Sequence, residues 1–216
     1  MPPADDTVER AVRSFAAAMI GLAAHELNNR LAVMRETVGL MEDLARAGKA
    51  GAAGTERAHA SLDVQVGRAL NIVRTLSGLG GALGDNGGGF DAGATIGDLV
   101  GLTERWARQL SLRIEREVAA DLPRAGGDPA LFLCLVHRLL VRSAETLQPG
   151  GTILLRAVRD SNTVRVSLHP EGKRAETAAV PETVDDEINR ELARRLGGAL
   201  LFAGGGVSTV RLAAAR

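Results

Sequence analysis

From about Asp6 to Ala47 the chain has no proline and two glycines, Gly21 and Gly39, and its apolar residues recur at steps of three and four. Val8, Val12, Phe15, Met19 and Leu22 form one register; Ile20, Ala24, Leu27, Leu31, Met34, Val38 and Met41 form a second, offset from it. Two registers meeting near His25 predict one long helix whose seam shifts partway along. Forty residues at the helical rise give roughly 60 Å, a length that needs partners along it. Gly48 to Thr55 reads as a turn. A second helix is expected from Glu56 to Leu79, with Leu62, Val66, Ala69, Val73, Leu76 and Leu83 in a four-three pattern. An antiparallel hairpin cannot cover both apolar stripes, whereas two hairpins about a two-fold axis close a four-helix bundle. Residues 1–83 are therefore expected to be a homodimerisation module.

The run Gly84-Asp85-Asn86-Gly87-Gly88-Gly89 reads as a linker, and the pattern changes after it. Helical periodicity at Ala94–Leu110, Pro129–Leu147 and Val184–Leu196 alternates with strand-like runs at Leu112–Val118, Thr152–Val158, Thr163–Leu168, Ala199–Ala203 and Val207–Ala213. Helices mixed with mostly antiparallel hairpins predict, over residues 90–216, an α/β sandwich with helices on one face. The whole chain is thus expected to be α+β, a helical hairpin followed by this sandwich.

Composition narrows the chemistry. The 216 residues carry 26 basic and 26 acidic side chains, which gives no electrostatic footprint for nucleic acid or a membrane surface. Only 2% are aromatic, so base-stacking platforms are absent. The partners expected are proteins. A single cysteine, Cys134, rules out an internal disulfide and falls in an apolar helical run, where it reads as a buried hydrophobe. The start Met-Pro-Pro-Ala-Asp-Asp lacks the basic residues of a secretory signal, and the longest apolar stretch, Ala16 to Ala24, is too short to span a bilayer. A cytoplasmic protein is expected.

The candidate chemistry lies in His25-Glu26-Leu27-Asn28-Asn29-Arg30-Leu31-Ala32. With His25 at zero on a helical wheel, Leu27, Leu31, Met34, Val38 and Met41 cluster at about 160–240°, so the imidazole points away from that seam. A neutral imidazole offers a lone pair that can attack phosphorus and form a high-energy nitrogen–phosphorus bond. Glu26 could orient the ring or take a proton, and Asn29, about 40° from His25, could position water or a transferring phosphoryl group. A zinc protease is excluded, because its second histidine would have to stand where Asn29 does. Ala32, Val33, Glu36 and Leu40, within about 80° of His25, are a candidate docking face.

His-Glu-Leu-Asn-Asn-x-Leu-Ala on the first helix of a hairpin resembles the H-box of two-component sensor histidine kinases, and with the linker and α/β domain the resemblance spans nearly the whole chain. It implies that His25 is the phospho-accepting histidine, Glu26 the acidic residue assisting transfer and Asn29 the polar residue of phosphatase activity. Many members have proline where this chain has Arg30, which puts a proline-dependent helix bend in doubt. The α/β part resembles the kinases' ATP-binding (Bergerat-like) domain but departs from it at three places. Arg142 stands where a magnesium-binding Asn is expected, and Arg cannot ligate a cation. His169-Pro170-Glu171-Gly172 stands for the Asp-x-Gly turn that grips adenine, and Pro181-Glu182-Thr183-Val184-Asp185-Asp186 for the Gly-x-Gly phosphate loop. Gly204 to Gly206 lies between strands and does not replace that loop.

A dimeric H-box hairpin with such a degenerate domain is similar to the histidine phosphotransferases that relay phosphate from a hybrid histidine kinase to response-regulator receiver domains. The resemblance implies no ATP and no resident metal, the receiver supplying aspartate and magnesium. An ATP-dependent kinase fragment and a non-enzymatic dimeric scaffold are the alternatives. His59, His137 and His169 lack the H-box context and read as structural or solvated.

Overall fold

The computed structural model describes residues 4–49, 51–84, 89–174 and 184–215. The chain runs α1 Ala4–Arg46, α2 Ala52–Gly84, α3 Ala92–Gln109, β1 Arg113–Val118, α4 Pro129–Glu145, β2 Thr152–Asp160, β3 Thr163–Glu171, α5 Val184–Arg195, β4 Ala199–Phe202 and β5 Ser208–Ala213, with a short helical turn at Gly204–Gly206. The described parts of residues 1–17 and 78–216 cluster into one compact unit, and residues 18–77 into another.

Helix α1 continues unbroken for 43 residues through the position of Arg30. Arg keeps the backbone N–H and the freedom of φ that proline would have removed there. Its end is a Schellman closure: Gly48 adopts φ +65°, its N–H bonds the carbonyl of Ala45 at 3.0 Å, and the N–H of Lys49 reaches Leu44 at 2.9 Å. The connection is shorter than the expected Gly48 to Thr55, because the Gly51 carbonyl accepts from Gly54 and Thr55 and α2 already begins at Ala52. At the other end α2 runs on through Gly78, Gly80 and Gly81. Each glycine costs a helix about 1 kcal/mol relative to alanine without forbidding it. Residues 85–88 of the expected linker lie outside the described residues.

The two apolar registers of α1 meet different fates. Val8, Phe15 and Met19 of the first are buried, whereas Ile20, Leu31 and Val38 of the second stand exposed. On α2, Ile72 is buried while Val66, Leu70 and Val73 are exposed. Val8 and Phe15 bring the start of α1 into the α/β unit, where the Phe15 ring packs against His137 of α4 with centroids 5.4 Å apart. The compact units therefore divide α1 itself, after Ala17 and within its first register.

In the α/β unit, five strands form one sheet in the order β1-β2-β3-β5-β4. β1 pairs parallel to β2, and the other neighbours are antiparallel. Alternation sorts the sheet into two faces: Ile153, Leu155, Ala157, Val164, Val166, Leu168, Val210 and Leu212 are fully buried, while Arg156, Arg165 and Arg211 are exposed. Helix α4 packs over β2 and β3 through Phe132, Leu135, Leu139 and Leu140, with α3 on β1 and α5 on β4. Asp91 and Asp128 start α3 and α4 by accepting from the N–H groups of Ala94 at 2.9 Å and Ala130 at 2.7 Å. Pro129, just inside α4, occupies a position whose N–H would have had no helical partner.

Candidate functional site

His25 is exposed on α1, on the hairpin unit. Ala32, Val33, Glu36 and Leu40 are exposed on the same helix, Leu40 at 60%. Glu26 and Asn29 do not share this exposure. One residue turns an α-helix by about 100°, which carries Glu26 from the open flank toward α2. There Arg30 donates one guanidinium N–H to the Glu26 carboxylate and another to Gln65 Oε1 of α2 at 3.2 Å. The side chains of Arg30 and Glu26 are only 19% and 17% exposed. Arg30 Nε and the amide nitrogen of Asn29 are buried without a hydrogen-bond partner. Glu26, Arg30 and Gln65 thus form a polar cluster between the two helices.

At the closed end of the hairpin, Val38, Met41, Leu44, Ala58 and Leu62 line an apolar groove of about 540 Å³. With the exposed Ile20, Leu31, Val66, Leu70 and Val73, it leaves the hairpin carrying far more uncovered apolar surface than the α/β unit.

In the α/β unit, the residues that the sequence resemblance sets against the kinase nucleotide motifs are engaged with one another. Arg142 of α4 forms an ion pair with Asp186 of α5, whose side chain is wholly buried, and its guanidinium lies 4.5 Å from the centroid of Phe202. One turn earlier, Arg138 donates to Asn189 Oδ1 and to Asp185 Oδ1, each at 2.7 Å. Helix α5 is thereby fastened along α4. The guanidinium of Arg142 offers only N–H donors and no atom that could ligate a cation.

The His169-Pro170-Glu171-Gly172 turn is likewise internally engaged. His169 shares a 2.9 Å hydrogen bond with Ser167 Oγ, and Pro170 is buried opposite Ile153 at the end of the β2–β3 ladder. After the turn at Gly172, Arg174 donates to the carbonyl of Gly205 and to Thr146 Oγ1 at 3.3 Å, tying β3, α4 and the Gly204–Gly206 turn together. Residues 181–183 of the expected phosphate-loop position lie outside the described residues; α5 begins at Val184. Among the described residues, no three His, Cys, Asp or Glu side chains converge as a metal set, and no helix is long and apolar enough to cross a membrane.

Burial sorts the remaining titratable groups. The Cys134 thiol is pushed up to about 12 by desolvation in α4, which leaves it unreactive. His137 is lowered to about 4, by burial first and by the neighbouring charge of Arg138 second. His59 is exposed on α2. The sequence signalled neither the Arg30 to Glu26 pairing nor the Arg142 to Asp186 one. The first was open to an i, i+4 reading and the second joins residues 44 apart.

No protein-family model matches the chain, and no curated protein matches it. Solved structures do. A blue-light activated histidine kinase of Erythrobacter litoralis superposes over 86% of this chain and 63% of its own, at 14% identity and a TM-score of 0.50. The histidine kinase AdeS of Acinetobacter baumannii gives 14% identity and 0.47 over 88% of this chain and 97% of its own. A bacterial phosphotransferase gives 16% and 0.46 over 92% and 95%. The chain has a histidine-kinase-like fold.

Proposed function

We propose that this chain is a phosphorelay histidine phosphotransferase, a homodimer that carries phosphate on His25 between aspartates of response-regulator receiver domains. The observation that carries the reading is the pairing of Arg142 with Asp186 across α4 and α5, which uses up the position a kinase needs for a metal ligand. A kinase works by holding triphosphate and magnesium through fixed ligands, so its catalysis depends on groups that are absent here. A phospho-aspartate donor needs none of them from this chain. It brings an activated acyl phosphate and its own metal site.

In the transfer, a neutral imidazole nitrogen of His25 attacks phosphorus in line with the carboxylate leaving group. The nitrogen–phosphorus bond forms, the phosphorus–oxygen bond of the acyl phosphate breaks, and the partner's aspartate departs as a carboxylate. The reverse order of the same steps delivers phosphate to the next receiver. The open flank bearing His25, Ala32, Val33, Glu36 and Leu40 supports docking of a receiver domain. The uncovered second register of α1, with Val66, Leu70 and Val73 of α2, supports pairing of two hairpins.

The test is labelling. Incubated with magnesium and ATP the protein should stay unphosphorylated; mixed with a phosphorylated receiver domain it should acquire acid-labile phosphate. His25→Ala should abolish acceptance with the helix intact, since alanine is the best helix former. Self-labelling from ATP with saturable nucleotide binding would identify a kinase instead, and no labelling from a broad panel of phosphorylated receivers would identify a scaffold.

A further inference from the structure

Arg156, Arg165 and Arg211, exposed on the outward face of the sheet, are not equally matched by acids. Arg156 of β2 stands beside Glu117 of β1 in the parallel ladder, and its Nε and Nη2 reach one carboxylate oxygen at 2.7 and 2.6 Å. Arg165 of β3 stands directly opposite Arg211 of β5, two like charges at one rung of an antiparallel pair. They share a single acid. Asp160, at the end of β2, falls on the same face by strand alternation, and its Oδ2 lies 3.7 Å from Arg165 Nη1 and 3.6 Å from Arg211 Nε. Both distances exceed an N–H···O hydrogen bond, so this carboxylate screens two guanidiniums without bonding to either. Like charges directly opposite each other work against a sheet. Here the two side chains are 44% and 51% exposed, which leaves them open to a second anion.

We infer that the outward face of the sheet around Arg165 and Arg211 is a docking surface for an acidic side chain of a protein partner, whose carboxylate is held between the two guanidiniums. A guanidinium presents a fork of N–H donors that matches a carboxylate. Two of them against one internal acid leave one positive charge uncompensated, which suits a single Asp or Glu. The surroundings fit a protein surface. Ala199, opposite Arg211 on the edge strand β4, projects no more than a methyl group, and Leu201 further along the same strand is 55% exposed. An apolar contact beside a charged anchor is how protein interfaces combine area with orientation. A nucleic-acid strand instead needs several phosphates neutralised and rings on which to stack its bases. This patch offers one unmatched charge and Leu201 in place of a ring. The surface lies wholly on the α/β unit and does not depend on the role of His25.

The test is a backbone amide-shift titration of the whole isotope-labelled protein, with acetylated hexaglutamate as the probe and hexaserine as the neutral control. Hexaglutamate should move the signals of Arg165, Thr209 and Arg211 saturably, and hexaserine should leave them in place. Arg165→Gln with Arg211→Gln should raise the dissociation constant at least about fivefold, the scale of two exposed charge pairs. Arg108→Gln, at an exposed arginine of α3, should leave it within about twofold. Asp160→Asn should tighten binding about two- to threefold, because the internal competitor for the guanidiniums is gone. Arg211→Gln alone should leave the urea midpoint unchanged or higher, since it relieves two facing charges.

Four outcomes overturn the inference. One is the lack of any saturable shift with hexaglutamate. Another is an equal weakening by Arg108→Gln, which would make the attraction a matter of net charge. A third is weaker binding by Asp160→Asn together with a lower urea midpoint in Arg211→Gln, which would make the three side chains a structural cluster. The fourth is a short oligothymidine that binds the same signals more tightly than hexaglutamate, which would assign the face to nucleic acid.

Discussion

Arg142 of α4 pairs with the wholly buried carboxylate of Asp186 on α5, while its guanidinium lies over the ring of Phe202. The contact between the two helices is reinforced by Arg138 on Asn189 and Asp185.

The stability of the α/β unit should depend on that contact. Arg142→Ala removes the guanidinium paired with the buried Asp186 and should destabilise the protein by about 3–5 kcal/mol, the usual cost of breaking a buried pair from one side. Replacing both residues by apolar ones, as in Arg142→Met with Asp186→Leu, should cost markedly less. Urea unfolding of the parent, single and double variants measures the difference, and equal losses in the two would contradict the account.

Stability should also fall in mild acid through His137. Its folded value of about 4 lies below the ordinary 6.5, so between those values the unfolded chain binds the extra proton and the folded chain does not. Stability is therefore complete above about pH 6.5 and is lost as pH falls toward 4, by up to about 3 kcal/mol for a shift of this size. His137→Phe, which keeps a ring against Phe15, should flatten the slope between pH 7.5 and 5 relative to the parent. Identical slopes in urea titrations at the two pH values would remove His137 from the explanation.

The hairpin should self-associate. Leu70 and Val73 are 49% and 47% exposed in the single chain, and a second hairpin would bury them. Sedimentation should show a dimer, and Leu70→Asp with Val73→Asp should convert it to a monomer by placing two charges in an apolar seam. A compact monomer for the parent protein would refute the four-helix arrangement.

Docking is open to a separate test on the flank beside His25. Leu40→Asp should raise the receiver concentration needed for half-maximal transfer about tenfold, the cost of desolvating a charge within an apolar contact. The dimer should persist, and labelling of His25 by phosphoramidate should continue. Unaltered transfer in a folded dimer would place the receiver elsewhere.

Much of this architecture was legible along the chain because periodicity is a local property. The steps of three and four in α1, the alternation in Thr152–Val158 and Thr163–Leu168, and the Asp128-Pro129 start of α4 each report their element directly. The exposure of His25 followed from the same geometry, as did the burial of Cys134. Helix ends were less legible: the closure at Gly48 was marked, but the early start of α2 at Ala52 depended on hydrogen bonds to Gly51. What the sequence by itself determined, then, was which segments are helix or strand and which face of α1 carries the imidazole. Only the tertiary structure decided the partners of the charged side chains. Glu26 is adjacent to His25 in sequence yet belongs to Arg30 and the side toward α2, and Arg142 reaches Asp186 because α4 and α5 pack side by side. Phe15 likewise meets His137 across more than a hundred residues. Charge pairing and ring contact depend on distance in space, and the repeat of a helix or strand specifies direction around an axis without specifying what stands opposite.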